Sequence, residues 1–181
     1  MSIEALKELL PEYAKDQKLN IGTVLTTPEL TPVQAWGCAL ACAIASRNAT
    51  LLRHVAADAR THLGTEVFDA AAGAAVVMGM NNVYYRYNHF MEHADAEYST
   101  MPARLRMNII GRNGAEKLDF ELWCLAVSSI NGCQACVVSH EKACRDKGAS
   151  KAAVQASIRI ASVLKATADA LFAHETLSSL G

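Results

Sequence analysis

The chain has 181 residues with 17 basic and 18 acidic side chains, a net charge of −1 and no basic run, which removes any electrostatic case for a nucleic-acid or anionic-membrane partner. Hydrophobic residues make up 51% and aromatics only 6%, so the apolar content is mostly Ala, Leu, Val and Ile, which favours closely packed helices over sheets. The length fits one domain, residues 1–181, with a real core.

Met1-Ser2-Ile3-Glu4-Ala5-Leu6-Lys7 opens as an amphipathic helix and lacks the charged-then-apolar profile of a secretory signal. No apolar run is long and clean enough to span a bilayer, so a soluble, cytoplasmic protein is expected. Six cysteines are too sparse for a disulfide scaffold, and in a reducing compartment a close pair points to catalysis or metal binding.

Helices are expected at about 2–9, 11–24, 32–46, 48–62, 65–81, 83–94, 119–131, 133–147, 150–164 and 166–178. Pro11 and the Thr31-Pro32 pair mark helix starts, with Thr31 as an N-cap, and Gly64, Gly132 and Gly148 mark helix ends. No segment alternates with a period of two, so the fold class is all-α. Residues 99–118 are the least regular, with turns at Gly111 and Asn113-Gly114. Asn82, Tyr85 and His89 repeat the spacing of Cys133, Cys136 and His140, an echo that fits a duplicated helical hairpin or mere coincidence.

Cys133-Gln134-Ala135-Cys136 is the sharpest feature. Positions i and i+3 of a helix share a face, with α-carbons about 5 Å apart, inside the disulfide range. Gly132 places both sulfurs at the start of a new helix, where free backbone N–H groups and the dipole favour a thiolate. His140 lies four residues past Cys136, so the three fall within an arc of roughly 60°. The plainer reading is an apolar stripe extended by Val137 and Cys144, because a free cysteine packs as a small hydrophobe. That reading suffices for Cys38, Cys42, Cys124 and Cys144. It accounts less well for a spaced pair with a histidine one turn away.

Glu121 is the single charged residue in Phe120–Ile130, a helix apolar nearly all round and therefore buried nearly all round. Folding the chain at Asn131-Gly132 brings residue 121 level with residues 140–144, at about 1.5 Å per residue. A proton chain results, from Glu121 to His140 to Cys136, with Cys133 alongside. The alternative makes Asp119 the N-cap and Glu121 a first-turn acid, with Leu118 and Trp123 as a hydrophobic staple. His54, His62, His89, His93 and His174 read as surface or satisfied structural histidines, and Cys38 with Cys42 lacks companion metal ligands.

Glu121, Cys133, Cys136 and His140, set in Phe120-Glu121-Leu122-Trp123 and Ser129-Ile130-Asn131-Gly132-Cys133, resemble the alkyl hydroperoxidase D (AhpD) family, within the carboxymuconolactone decarboxylase-like superfamily. The resemblance also covers Leu10–Asp16, Met78–Arg86 and Leu105–Ile110. It implies a helical homotrimer that reduces organic hydroperoxides weakly and serves as reductant of an AhpC-type peroxiredoxin. It further implies electrons from the dihydrolipoyl group of a 2-oxo acid dehydrogenase component and no tightly bound cofactor. Carried over, Cys136 becomes the sulfenic acid, Cys133 the proton donor and resolving thiol, and His140 with Glu121 the relay. Ala135 departs from the pattern: similar members carry a second histidine there. Helix-start electrostatics favour Cys133 as the more acidic thiol, whereas the relay favours Cys136, and the relay is followed here. Rival readings are a structural zinc site built from Cys133, Cys136, His140 and Glu121, a cysteine-independent decarboxylase-like enzyme, and a non-catalytic interaction module.

Overall fold

Thr31 begins the central helix with a reciprocal cap: its hydroxyl accepts from Gln34 N–H at 3.2 Å, and the Gln34 side-chain carbonyl accepts from Thr31 N–H at 3.1 Å. The computed structural model describes residues 1–180 except 93 and 96. The central helix, α3 (Pro32–Ala45), follows α1 (Ile3–Lys7), a 3-10 turn (Glu12–Ala14) and α2 (Lys15–Val24). After it come α4 (Ala49–His62), α5 (Thr65–Met91), α6 (Glu97–Thr100), α7 (Asn108–Gly111), α8 (Lys117–Ile130), α9 (Gln134–Asp146) and α10 (Lys151–Ser178). No strand occurs among the described residues, and no helix of theirs is long and apolar enough to cross a membrane.

Small side chains explain why α3 sits in the middle. Ala35, Gly37, Cys38, Ala39, Ala41, Cys42 and Ala43 are all buried, so α4, α5, α8 and α10 pack around it on every side. One contiguous core joins these helices, with Trp123, Leu40, Leu125, Leu122 and Leu164 fully enclosed. The α3–α8 contact is close. A Cβ on Gly37 would lie 2.2 Å from Trp123 Cε2, and Trp123 Nε1 donates to the Gln34 carbonyl at 3.2 Å. Gly37→Ala is therefore expected to cost about 1–3 kcal/mol or more through overpacking. At roughly 2–4 °C per kcal/mol for a chain of this size, calorimetry should show a melting temperature several degrees lower. An unchanged melt would mean that the ring can move aside freely.

Asp119 is not the cap of α8. Glu116 holds that position without a side-chain cap bond, while Asp119 is buried and accepts from Gln34 Nε2 at 2.8 Å. Burial pushes its carboxyl above the ordinary 3.8; the Gln34 bond pulls it down and Glu116 pushes it up again. The folded state thus binds the Asp119 proton more tightly than the unfolded state. Its contribution to stability is fully present below the unfolded value of 3.8 and is lost as pH rises through the folded value. Asp119→Asn keeps an acceptor for Gln34 and removes the buried charge. Urea unfolding should show the variant more stable than wild type at pH 7, with the gap closing towards pH 4. Equal or lower stability at pH 7 would mean the charge is better compensated than its burial suggests.

Two pairs of expected helices are single helices. The 65–81 and 83–94 segments form the 27-residue α5 as far as Met91, and 150–164 with 166–178 form the 28-residue α10. Asn82, a weak helix former, stays helical because its side chain is bonded across the fold: Nδ2 donates to Ser128 Oγ and Oδ1 accepts from Asn131 Nδ2, both at 2.9 Å. Lys165 bonds Asp169 one turn on, which supports α10 through the expected break. The first copy of the sequence echo is thus no hairpin. Residues 2–9 shrink to Ile3–Lys7, and 11–24 opens as the 3-10 turn. Gly64 follows the C-cap of α4, Leu63, and is also the N-cap of α5, while Gly132 and Gly148 are left-handed at φ 67° and 89°. The irregular stretch contains the one-turn helices α6 and α7. His93 lies outside the described residues.

Candidate active site

The turn from α8 to α9 reverses the chain at Gly132, where a positive φ favours a residue without a side chain. Cys133 N–H donates to the Ser128 carbonyl at 3.1 Å and Gly132 N–H to the Ser129 carbonyl at 3.2 Å, closing the end of α8. From α5, Arg86 Nη1 donates to the Asn131 carbonyl at 2.5 Å, and Asn82 bonds Asn131 and Ser128. The turn is therefore gripped on both sides, and so is the cysteine that follows it.

Cys133 is the N-cap of α9, and its sulfur accepts the Cys136 backbone N–H at 3.3 Å. The two cysteines are joined as a disulfide with α-carbons 5.3 Å apart. They are not equally reachable: Cys133 is fully buried, whereas Cys136 is 6% exposed and lines a pocket of about 270 Å³. His140 and Ala135 line the same side of that pocket. Met78, Asn81 and Tyr85 from α5 line it too, with Met107 and Ile110 from the α7 region. A second cleft of about 290 Å³, between Ser129 and Asp169, holds no thiol or imidazole.

The helical hairpin brings Glu121 Oε2 to 2.7 Å from His140 Nδ1, with both side chains largely buried. Lys147 Nζ lies 3.9 Å from the other Glu121 oxygen. With Nδ1 bound to the carboxylate, Nε2 is the imidazole nitrogen left to exchange a proton elsewhere. The arrangement combines a disulfide with one reachable sulfur, a carboxylate-anchored histidine and a mostly apolar pocket.

The remaining cysteines are placed differently. Cys38, Cys42, Cys124 and Cys144 are free and buried. Burial pushes all four thiols up; that of Cys144 reaches about 12, with Glu121 and Glu141 adding to the rise and Lys147 opposing it. Such thiols are held protonated and unreactive. His54 bonds the Ser2 backbone, His62 stacks on Trp36, His89 pairs with Glu92 and His174 meets Ser178. Among the described residues no three His, Cys, Asp or Glu side chains are grouped to hold a metal ion.

Sequence reasoning missed Asn81, Met78, Met107 and Ile110 as pocket residues and Lys147 as the cation beside Glu121. Lys147 lies seven residues beyond His140, two turns along one face, so the hairpin register could have found it. The α5 residues had no signal beyond their place in the Met78–Arg86 stretch.

The carboxymuconolactone decarboxylase family pattern matches residues 96–176. The chain is 54% identical over 164 residues to an alkyl hydroperoxide reductase AhpD from Solibacter usitatus (strain Ellin6076), covering 91% of this chain and 92% of the relative. It is 49% identical over 181 residues to an alkyl hydroperoxide reductase AhpD from Mycolicibacterium paratuberculosis (strain ATCC BAA-968 / K-10), covering 100% of both. It is 51% identical over 178 residues to an alkyl hydroperoxide reductase AhpD from Rhodospirillum centenum (strain ATCC 51521 / SW), covering 98% and 95%. With identity at this level sustained along essentially the whole chain, the protein belongs to the AhpD family, within the larger carboxymuconolactone decarboxylase family.

Proposed function

We propose that the chain, folded as one domain over residues 1–181, is an alkyl hydroperoxide reductase that works through the Cys133–Cys136 dithiol. The observation that carries this reading is the shared pocket: the reachable sulfur of the pair and the Glu121-anchored imidazole both face it. In the reduced enzyme His140 takes the Cys136 proton, and the thiolate attacks the terminal oxygen of a hydroperoxide. The O–O bond breaks, the sulfur keeps that oxygen as sulfenic acid, and the departing alkoxide takes a proton from the imidazolium. The Cys133 thiol then attacks the sulfenic sulfur, releasing water and closing the disulfide.

Reduction uses the other half of the geometry. An external dithiol attacks Cys136, and Cys133 departs as a thiolate beside the Cys136 N–H at the start of α9. The second donor thiol then frees Cys136, so the cycle converts a hydroperoxide and a dithiol into an alcohol, water and a disulfide. On this reading helix-start electrostatics act on Cys133 and the histidine relay on Cys136, each sulfur being activated in a different half-reaction.

The donor we assign is the dihydrolipoyl group of a 2-oxo acid dehydrogenase component, and the protein acceptor an AhpC-type peroxiredoxin. Both exchange electrons with a dithiol, and both fit an enzyme of the reducing cytoplasm, where its four free thiols would persist. We assign the assembly as a homotrimer. Val76, Val83, Tyr87 and Phe90 are exposed on α5 within an arc of roughly 60°, an apolar stripe suited to another copy.

A coupled assay tests the reading: dihydrolipoamide is supplied, with peroxide and peroxiredoxin added separately. Turnover is expected with each acceptor, and oxidation of dihydrolipoamide that ignores both would reduce the proposal to unspecific disulfide exchange. The family relationship also admits a cysteine-independent reaction. Activity that survives replacement of both Cys133 and Cys136 would favour that alternative.

A further inference from the structure

Two consecutive asparagines on α5 have opposite fates. Asn82 satisfies its carbonyl and its amide through Asn131 and Ser128. Asn81, only 5% exposed, has a side-chain carbonyl oxygen that is buried and bonds nothing among the described residues. Buried acceptors are rarely left unpaired, because their lost hydration is not replaced. Asn81 also lines the pocket that holds Cys136 and His140. Apolar residues share the lining with it: Met78 from α5, and Met107 and Ile110 from the α7 region. Tyr85 and Ser139 also contribute hydroxyls, on residues far more exposed than Asn81.

We infer that Asn81 is a positioning residue for the peroxide: its carboxamide accepts the hydrogen bond of the hydroperoxide O–H and turns the terminal oxygen towards Cys136. This rests on the peroxidase reading above. A hydroperoxide has one O–H donor, and Asn81 holds the unpaired buried acceptor of the lining, with Met78, Met107 and Ile110 as apolar lining for the organic part. The attacked oxygen keeps its hydrogen when the O–O bond breaks, so the same carboxamide then holds the sulfenic acid until Cys133 condenses with it. Ala135, next to Cys136 in the lining, offers no side-chain polar group of its own.

The test separates the two half-reactions by stopped flow. Pre-reduced enzyme is oxidised with tert-butyl hydroperoxide, and oxidised enzyme is reduced with dihydrolipoamide. Asn81→Leu, close in size and without a carbonyl, should lower the ratio of the peroxide rate to the dithiol rate by about tenfold to a hundredfold. Its melting temperature should equal or exceed that of wild type, because the unpaired acceptor is gone. Asn81→Gln, which retains an acceptor on a longer arm, should fall between the two, and Asn81→Ala replaces the leucine variant if that protein does not fold. An unchanged ratio, or equal loss in both half-reactions, overturns the inference alone. Wild-type enzyme that peroxide fails to oxidise overturns the peroxidase reading and takes this inference with it.

Discussion

Cys136→Ser is expected to abolish turnover with every acceptor, a loss of several orders of magnitude like that seen when other enzymes lose a nucleophile. Cys133→Ser should behave differently. It should consume one equivalent of peroxide and stop as a Cys136 sulfenic acid that dimedone traps, because no thiol remains beside it to close the ring. The reason is positional: Cys136 faces the pocket and Cys133 is sealed beneath it, capping α9. Alkylation of the reduced native protein should modify Cys136 first. Cys38, Cys42, Cys124 and Cys144 should stay unmodified until denaturant is added, since burial raises all four thiols far above neutral pH. Dimedone retained at Cys133 in Cys136→Ser, with none at Cys136 in Cys133→Ser, would reverse the assignment of the attacking sulfur.

What the sequence discloses and what it hides divide along a physical line. Glu121 was legible because a lone carboxylate on an otherwise apolar helix needs a partner, and the helical rise limits that partner to the facing turns of α9. The cysteine spacing and the Gly132 stop are likewise local patterns with local causes. Asn81, Asn82 and Asp119 are not of that kind. Their helical positions say that they face inward, but not that Asn82 meets Ser128 and Asn131, that Asp119 meets Gln34 from 85 residues away, or that the Asn81 carbonyl meets nothing. The break expected near Asn82 is absent for the same reason: bonds from distant residues outweigh a weak helix propensity. The α7 wall of the pocket was hidden in a stretch whose sequence shows only turns.

His140→Gln is expected to slow the peroxide half-reaction by about 10²–10⁴, the range in which removing a positioned base usually falls. Glu121→Gln should cost less, about 10–10², because Glu121 acts through His140: the carboxylate fixes Nδ1 and supports the positive charge that the ring acquires on taking the Cys136 proton. That dependence gives a sharper test than either variant alone. Once His140 is gone the carboxylate has nothing to orient, so the double variant should be no slower than His140→Gln, and the two losses should fail to add. Multiplying losses would mean that Glu121 touches the chemistry by another route, and Lys147, at 3.9 Å from its second oxygen, would be the first group to test. The dithiol half-reaction supplies the control. Its leaving group is Cys133, stabilised at the start of α9 rather than by the imidazole, so His140→Gln should slow reduction much less than oxidation. Equal slowing of both would place the histidine in the scaffold and leave the proton of Cys136 without an acceptor.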